Sequence, residues 1–156
     1  MKYVFDSGPL IDLFRYYYLS RFPSLWKKFH VLVSKGKLIS VREVFNEISS
    51  GEDALATWAK EQKDGLFSPS TAKEFQFVSK IFKTQHFQTM IRKREMLQGK
   101  PVADPFVIAR AKILDCQVVT TEIFKDNSAN IPNVCKHFSI PCVDLEGFMQ
   151  QEGWTF

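Results

Sequence analysis

Four short apolar runs, each separated from the next by helical patterning, constrain this chain more than any other feature. Residues 2–5, 37–40, 117–120 and 142–145 read as strands. Between and after them helices are expected over residues 10–18, 24–34, 106–114, 132–138 and 146–151, the first opened by Pro9 at an N-terminal helical position. Further helices are expected from Ser40 to about Ser49, over residues 52–63, and after Thr71, where Phe75, Val78 and Phe82 share a face. Leu66-Phe67 reads as another short strand. Strands joined through helices are parallel neighbours, and the helices cover both faces of their sheet. The expected architecture is α/β, a three-layer α/β/α sandwich around a mostly parallel sheet, in one domain spanning residues 1–156.

Open parallel sheets bind ligands at the carboxyl ends of their strands. Asp6 follows Tyr3-Val4-Phe5 directly, Glu47 lies just inside a helix, Asp104 opens one, and Glu122 comes just after the strand ending at Thr120. Each acid has an ordinary structural explanation. Asp6 can cap the helix begun by Pro9, Asp104-Pro105 is a common helix opening, and Glu122 can sit in a polar turn. Ser40-Val41-Arg42-Glu43 has the form of a capping box, as does Thr71-Ala72-Lys73-Glu74, so Glu43 needs no chemistry; Glu47, one turn deeper, has no capping duty. If the four acids converge they require a cation, because two ionised carboxylates about 4 Å apart repel by ~4 kcal/mol at an effective dielectric near 20.

Composition narrows the partners. Lys and Arg exceed Asp and Glu by 21 to 17, a net charge of +4, which favours polyanions weakly. Aromatics make up 14%, with 15 phenylalanines, and a bulky core accounts for most of them. Three cysteines and three histidines show no zinc spacing, so the thiols are expected to be buried and the histidines receive no site. An acid at position 6 comes too early for a secretory signal, and no apolar run approaches the ~20 residues of a membrane span, so a cytoplasmic protein without membrane contact is expected. Tyr16-Tyr17-Tyr18 cannot all enter one core from a helix. Residues 84–100, polar and basic, are expected to form a mobile loop or partner surface.

In order and spacing these segments resemble the PIN-domain nucleases. The resemblance rests on Val4-Phe5-Asp6-Ser7-Gly8-Pro9-Leu10-Ile11, on Ile39 to Ile48 with its acid at Glu47, on Ala103-Asp104-Pro105-Phe106-Val107-Ile108-Ala109, and on Val118-Val119-Thr120-Thr121-Glu122. Two positions depart from the family pattern: Glu122 stands where Asp is usual, and Gly8 where Ser or Asn often follows. The resemblance implies an endoribonuclease in which Asp6, Glu47, Asp104 and Glu122 hold Mg²⁺ or Mn²⁺, with Thr120 orienting a carboxylate or water. It further implies an RNA substrate, a toxin of the VapC kind restrained by a cognate antitoxin, and a homodimer. Arg42, Lys100, Arg110 and the run Arg92-Lys93-Arg94 are the candidates for a basic RNA-binding rim. The competing reading keeps the fold but makes it a catalytically silent RNA- or protein-binding module.

Overall fold

In a computed structural model that describes residues 1–89 and 102–156, the chain runs β1 (Tyr3–Phe5), α1 (Ser7–Tyr16), α2 (Pro23–Ser34), β2 (Leu38–Ile39), α3 (Arg42–Ile48), α4 (Ala54–Glu61), α5 (Lys63–Leu66) and α6 (Ala72–Phe82). A 3₁₀ turn over Gln85–Gln88 follows, and then α7 (Asp104–Leu114), β3 (Gln117–Val119), α8 (Ile131–His137), β4 (Cys142–Val143) and α9 (Leu145–Gln151). The expectations for Lys100 and for Arg92-Lys93-Arg94 fall outside the described residues.

The strands form one sheet in the order β2-β1-β3-β4, with every pairing parallel. β1 is central because it is buried from end to end and pairs on both edges: Val4 lies opposite Ile39 on one side and Val118 on the other. Side chains alternate along it. Tyr3 and Phe5 meet the Phe148 ring edge-on at 4.7 and 5.0 Å, and Phe5 also meets Phe29 at 5.8 Å, which puts α2 and α9 on one face of the sheet. On the other face α7 packs against β1 and β3, with α6 packed on α7 in turn. The fold is therefore an α/β sandwich of the PIN-like kind.

Three local expectations need correction. The Ser40 box does not form. Val41 is the N-cap of α3, and the Ser40 hydroxyl instead donates to the Phe5 carbonyl at 2.6 Å. Leu66-Phe67 is not a strand; α5 ends there, although Ser40 N–H still donates to Leu66 O and Arg42 N–H to Ser68 O. Asp104 does not cap α7, since Ala103 occupies the N-cap and Asp104 is the first helical residue. The Thr71–Glu74 box is complete in both directions. Of the three tyrosines, Tyr16 and Tyr18 are exposed while Tyr17 packs on Phe22. No described helix is long and apolar enough to cross a membrane.

Candidate active site at the carboxyl ends of the strands

Parallel pairing delivers the residues after β1, β2 and β3 to one edge of the sheet: Asp6, Ser40 and Thr120. Asp6 N–H continues the ladder by donating to Val119 O at 3.0 Å. The Asp6 backbone is extended, as an N-cap requires, yet its side chain makes no capping hydrogen bond to α1. It turns instead to Thr120, whose hydroxyl donates to Asp6 Oδ2 at 3.0 Å. The same Thr120 oxygen accepts the Glu122 backbone N–H at 3.2 Å, so its single proton is left for Asp6 and the threonine acts as a fixed donor to the carboxylate.

The second carboxylate oxygen of Asp6 is the anomaly. Oδ1 is buried with no hydrogen-bond partner, in a residue only 5% exposed. Burial pushes the Asp6 carboxyl up to about 6; the adjacent Ser7 amide and the Thr120 bond pull it down, while the negative charges of Glu122 and Glu47 push it further up. Glu122 and Glu47 thus act on Asp6 through space. Glu122 is itself anchored, with Oε2 accepting the Ile131 N–H at 2.9 Å at the start of α8. Glu47 reaches across to α7, where its Oε1 accepts the Ala103 N–H at 3.2 Å, one residue before the buried Asp104.

A buried, unpartnered carboxylate oxygen that feels the charge of two further carboxylates offers oxygen donors only, the kind a hard divalent cation prefers. Among the described residues no three His, Cys, Asp or Glu side chains are grouped closely enough to hold a metal ion by themselves, so the expected convergence of all four acids on one centre is not seen. Mg²⁺ asks for less than a full protein cage, being commonly held by one or two carboxylates with retained waters and substrate phosphates.

A family model described as a domain of unknown function (DUF4411) matches residues 3–156. The chain belongs to the DUF4411 family. Among solved structures, this DUF4411 protein is similar to a chain in the crystal structure of VapBC2 from Rickettsia felis bound to a DNA fragment from their promoter. The TM-score is 0.50 and the identity 11%, over 92% of this chain and 98% of that one. At that identity the likeness speaks for the fold alone. A search of curated proteins found no match.

Arg110 of the DUF4411 chain is not a rim residue, contrary to the sequence-based expectation. It is 2% exposed and its five N–H donors are all engaged. Nε and Nη2 hold the two oxygens of Glu74 at 2.9 Å each, Nη1 donates to Ser40 O at 2.7 Å and to Ser68, and Nη2 also donates to Pro69 O. Burial pushes the Glu74 carboxyl up, but the Arg110 and Thr71 hydrogen bonds outweigh it and hold it below the usual range. Arg42 is partly exposed and tied to the Phe67 carbonyl at 2.8 Å, with a long ion pair to Asp64 at 3.8 Å.

Two further contributors have no obvious mark in the sequence. Ser40 bonds Phe5 O and is itself held by Arg110, so the guanidinium steadies the backbone immediately before Asp6. Gly8 is required by packing: a Cβ there would overlap the Thr121 hydroxyl. The departure at position 8 is thus matched by the side chain at 121, which occupies the space a larger residue would need.

Proposed function

We propose that this DUF4411 protein is a metal-dependent endoribonuclease that hydrolyses RNA phosphodiester bonds, the toxin of a type II pair whose antitoxin covers the acidic edge. The observation that carries this reading is the buried, unpartnered Asp6 Oδ1 in the field of Glu122 and Glu47. Burying a carboxylate among other carboxylates is costly, and a bound cation relieves that cost. The likeness to a VapBC2 chain, the strand-end placement of the acids and the sequence motifs support the same assignment.

Asp6, Glu122, Glu47 and Asp104 would hold Mg²⁺ or Mn²⁺. When bound, such an ion supplies an activated water at neutral pH and stabilises the charge developing on the leaving 3′ oxygen. The chain's own contribution is orientation. Thr120 favours the ionised form of Asp6 by donating to Oδ2, and the Ile131 amide fixes one Glu122 oxygen. Glu47, steadied by Ala103 N–H, links α3 to the start of α7. Restraint by an antitoxin and assembly as a homodimer belong to the same proposal.

The test is cleavage of single-stranded RNA by purified protein with and without Mn²⁺, beside Asp6→Asn. Metal-dependent cutting that disappears in the folded variant is the expected result. Equal cutting by both proteins would refute the assignment, and binding without cutting would favour a silent RNA-binding module.

A further inference from the structure

Beyond the acids, the loop after Glu122 and the outer side of α8 enclose a cleft of about 450 Å³ that the proposed chemistry does not use. Its walls are unusual in carrying flat rings and a cation with little hydrocarbon otherwise. Phe124 is 47% exposed, and the Lys136 ammonium sits 4.8 Å from the centre of its ring. The rings of His86 and His137 line the same cleft, held against the buried Phe87 at 5.8 and 5.2 Å. No ion pair engages Lys136 among the described residues, so its charge is not neutralised by a carboxylate of the fold.

The cleft is built rather than incidental. Asn133 on α8 clamps the loop from both ends of its amide, donating to Lys125 O at 2.5 Å and accepting the Lys125 N–H at 3.2 Å. Asn130 donates to Ile123 O at 3.2 Å and takes the Ser128 hydroxyl oxygen as acceptor for its own N–H. The loop turns through Asn127 with φ of 62°, a conformation asparagine tolerates better than most residues, and Asn127 also lines the cleft. These bonds spend polar groups on holding Phe124 in an exposed position, which core packing alone would not favour.

Position ties the cleft to the acids. Glu122 accepts the Ile131 N–H on the first residue of α8, and Lys136 lies on the same helix ~7.5 Å further along its axis. A chain that enters at the strand ends and continues over α8 would meet the acids first and the rings next.

We infer that the Phe124–Lys136 cleft is a nucleotide subsite for the single-stranded RNA substrate, taking a base against the Phe124 and histidine rings and the neighbouring phosphate on Lys136. This deepens the nuclease reading and rests on it for the identity of the polymer. Aromatic faces beside an unpaired lysine are how proteins hold single strands without regard to sequence, and an acidic peptide would make no use of the rings. Asn127 and Ser128 add amide and hydroxyl groups able to meet a ribose 2′ hydroxyl.

The experiment measures fluorescence anisotropy of a short fluorescein-labelled single-stranded oligoribonucleotide in EDTA, so that binding is read without cleavage. Phe124→Ala is expected to weaken binding roughly fivefold or more, and Phe124→Trp to restore it. Lys136→Ala is expected to weaken binding and to lower the slope of log Kd against log salt by about 0.7. Circular dichroism of each variant is the check that these exposed substitutions leave the fold intact. Unchanged affinity in both alanine variants overturns the subsite, as does polyglutamate competing equally well with wild type and Phe124→Ala. Failure of the nuclease reading looks different: wild-type protein would bind RNA through Phe124 and Lys136 yet cut nothing with Mn²⁺.

Discussion

Asp6→Asn should make the metal-free protein more stable while removing its activity. Moving the Asp6 carboxyl from 3.8 to about 6 corresponds to ~3 kcal/mol against the ionised form, an upper bound on what neutralisation can recover. Because the folded pKa lies above the unfolded one, the unfolded chain gives up its proton first as pH rises. Stability therefore falls between about pH 4 and pH 6 and stays reduced above that window. An asparagine can keep the Thr120 bond through its oxygen and turn its amide N–H groups toward Glu122 and Glu47. In EDTA at about pH 8 the variant should gain ~1–3 kcal/mol, or roughly 2–4 °C in Tm per kcal/mol, and the gain should vanish near pH 4. Thermal melts at the two pH values, followed by circular dichroism, measure it. Adding Mn²⁺ should raise Tm of the wild type and leave Asp6→Asn where it was. A variant that is destabilised equally at both pH values, or that responds to Mn²⁺ as the wild type does, would refute the idea that Asp6 is a strained ligand.

Arg110→Met leaves Glu74 charged and buried without its partner, and urea unfolding should show a loss of ~3–5 kcal/mol; pairing it with Glu74→Met should recover much of that. The Glu74 carboxyl, held below its ordinary range, contributes stability that is present above the unfolded value near 4.5 and lost as pH falls through the folded one; acid titration of Arg110→Met should lack that component. Gly8→Ala should cost ~1–3 kcal/mol by overpacking against Thr121, with Thr121→Ala in the same molecule returning most of it in thermal melts. Thr120→Val removes the donor to Asp6 and the acceptor for Glu122 N–H, and should weaken Mn²⁺ binding ~10–100-fold by calorimetry.

The parts of this molecule that were readable in the sequence are those where one local signal and the tertiary structure agree. Tyr3-Val4-Phe5 is apolar because both faces of β1 are covered, and the acid placed after it had to emerge at a strand end. Thr71 and Glu74 cap each other within a single helical turn, so the local pattern is enough to specify the contact. Ser40 has the same local pattern and fails as a cap, since the Phe5 carbonyl, 35 residues away in sequence, lies at 2.6 Å. Arg110 was misread because a positive charge on a helix is ordinarily solvated. α7, however, is buried nearly all round, and an arginine among Val107, Ile108 and Ala111 carries its own hint that its charge is met inside. Gly8 and Thr121 could not be paired by inspection, as their fit depends on an approach of a fraction of an ångström. The Phe124 cleft has no mark in the sequence, because the spacing of His86 and His137 says nothing of metal and their packing on Phe87 depends on tertiary structure.

The sheet order has an implication for biosynthesis. The strand carrying Asp6 is made before the neighbour that brings Thr120 and Glu122, and Thr120 follows Asp6 by 114 residues. A nascent polypeptide halted anywhere before β3 holds Asp6 without its orienting hydroxyl or its companion acid. For the proposed nuclease this order would keep the acidic edge incomplete, and the transcript being read safe from it, until β3 has emerged.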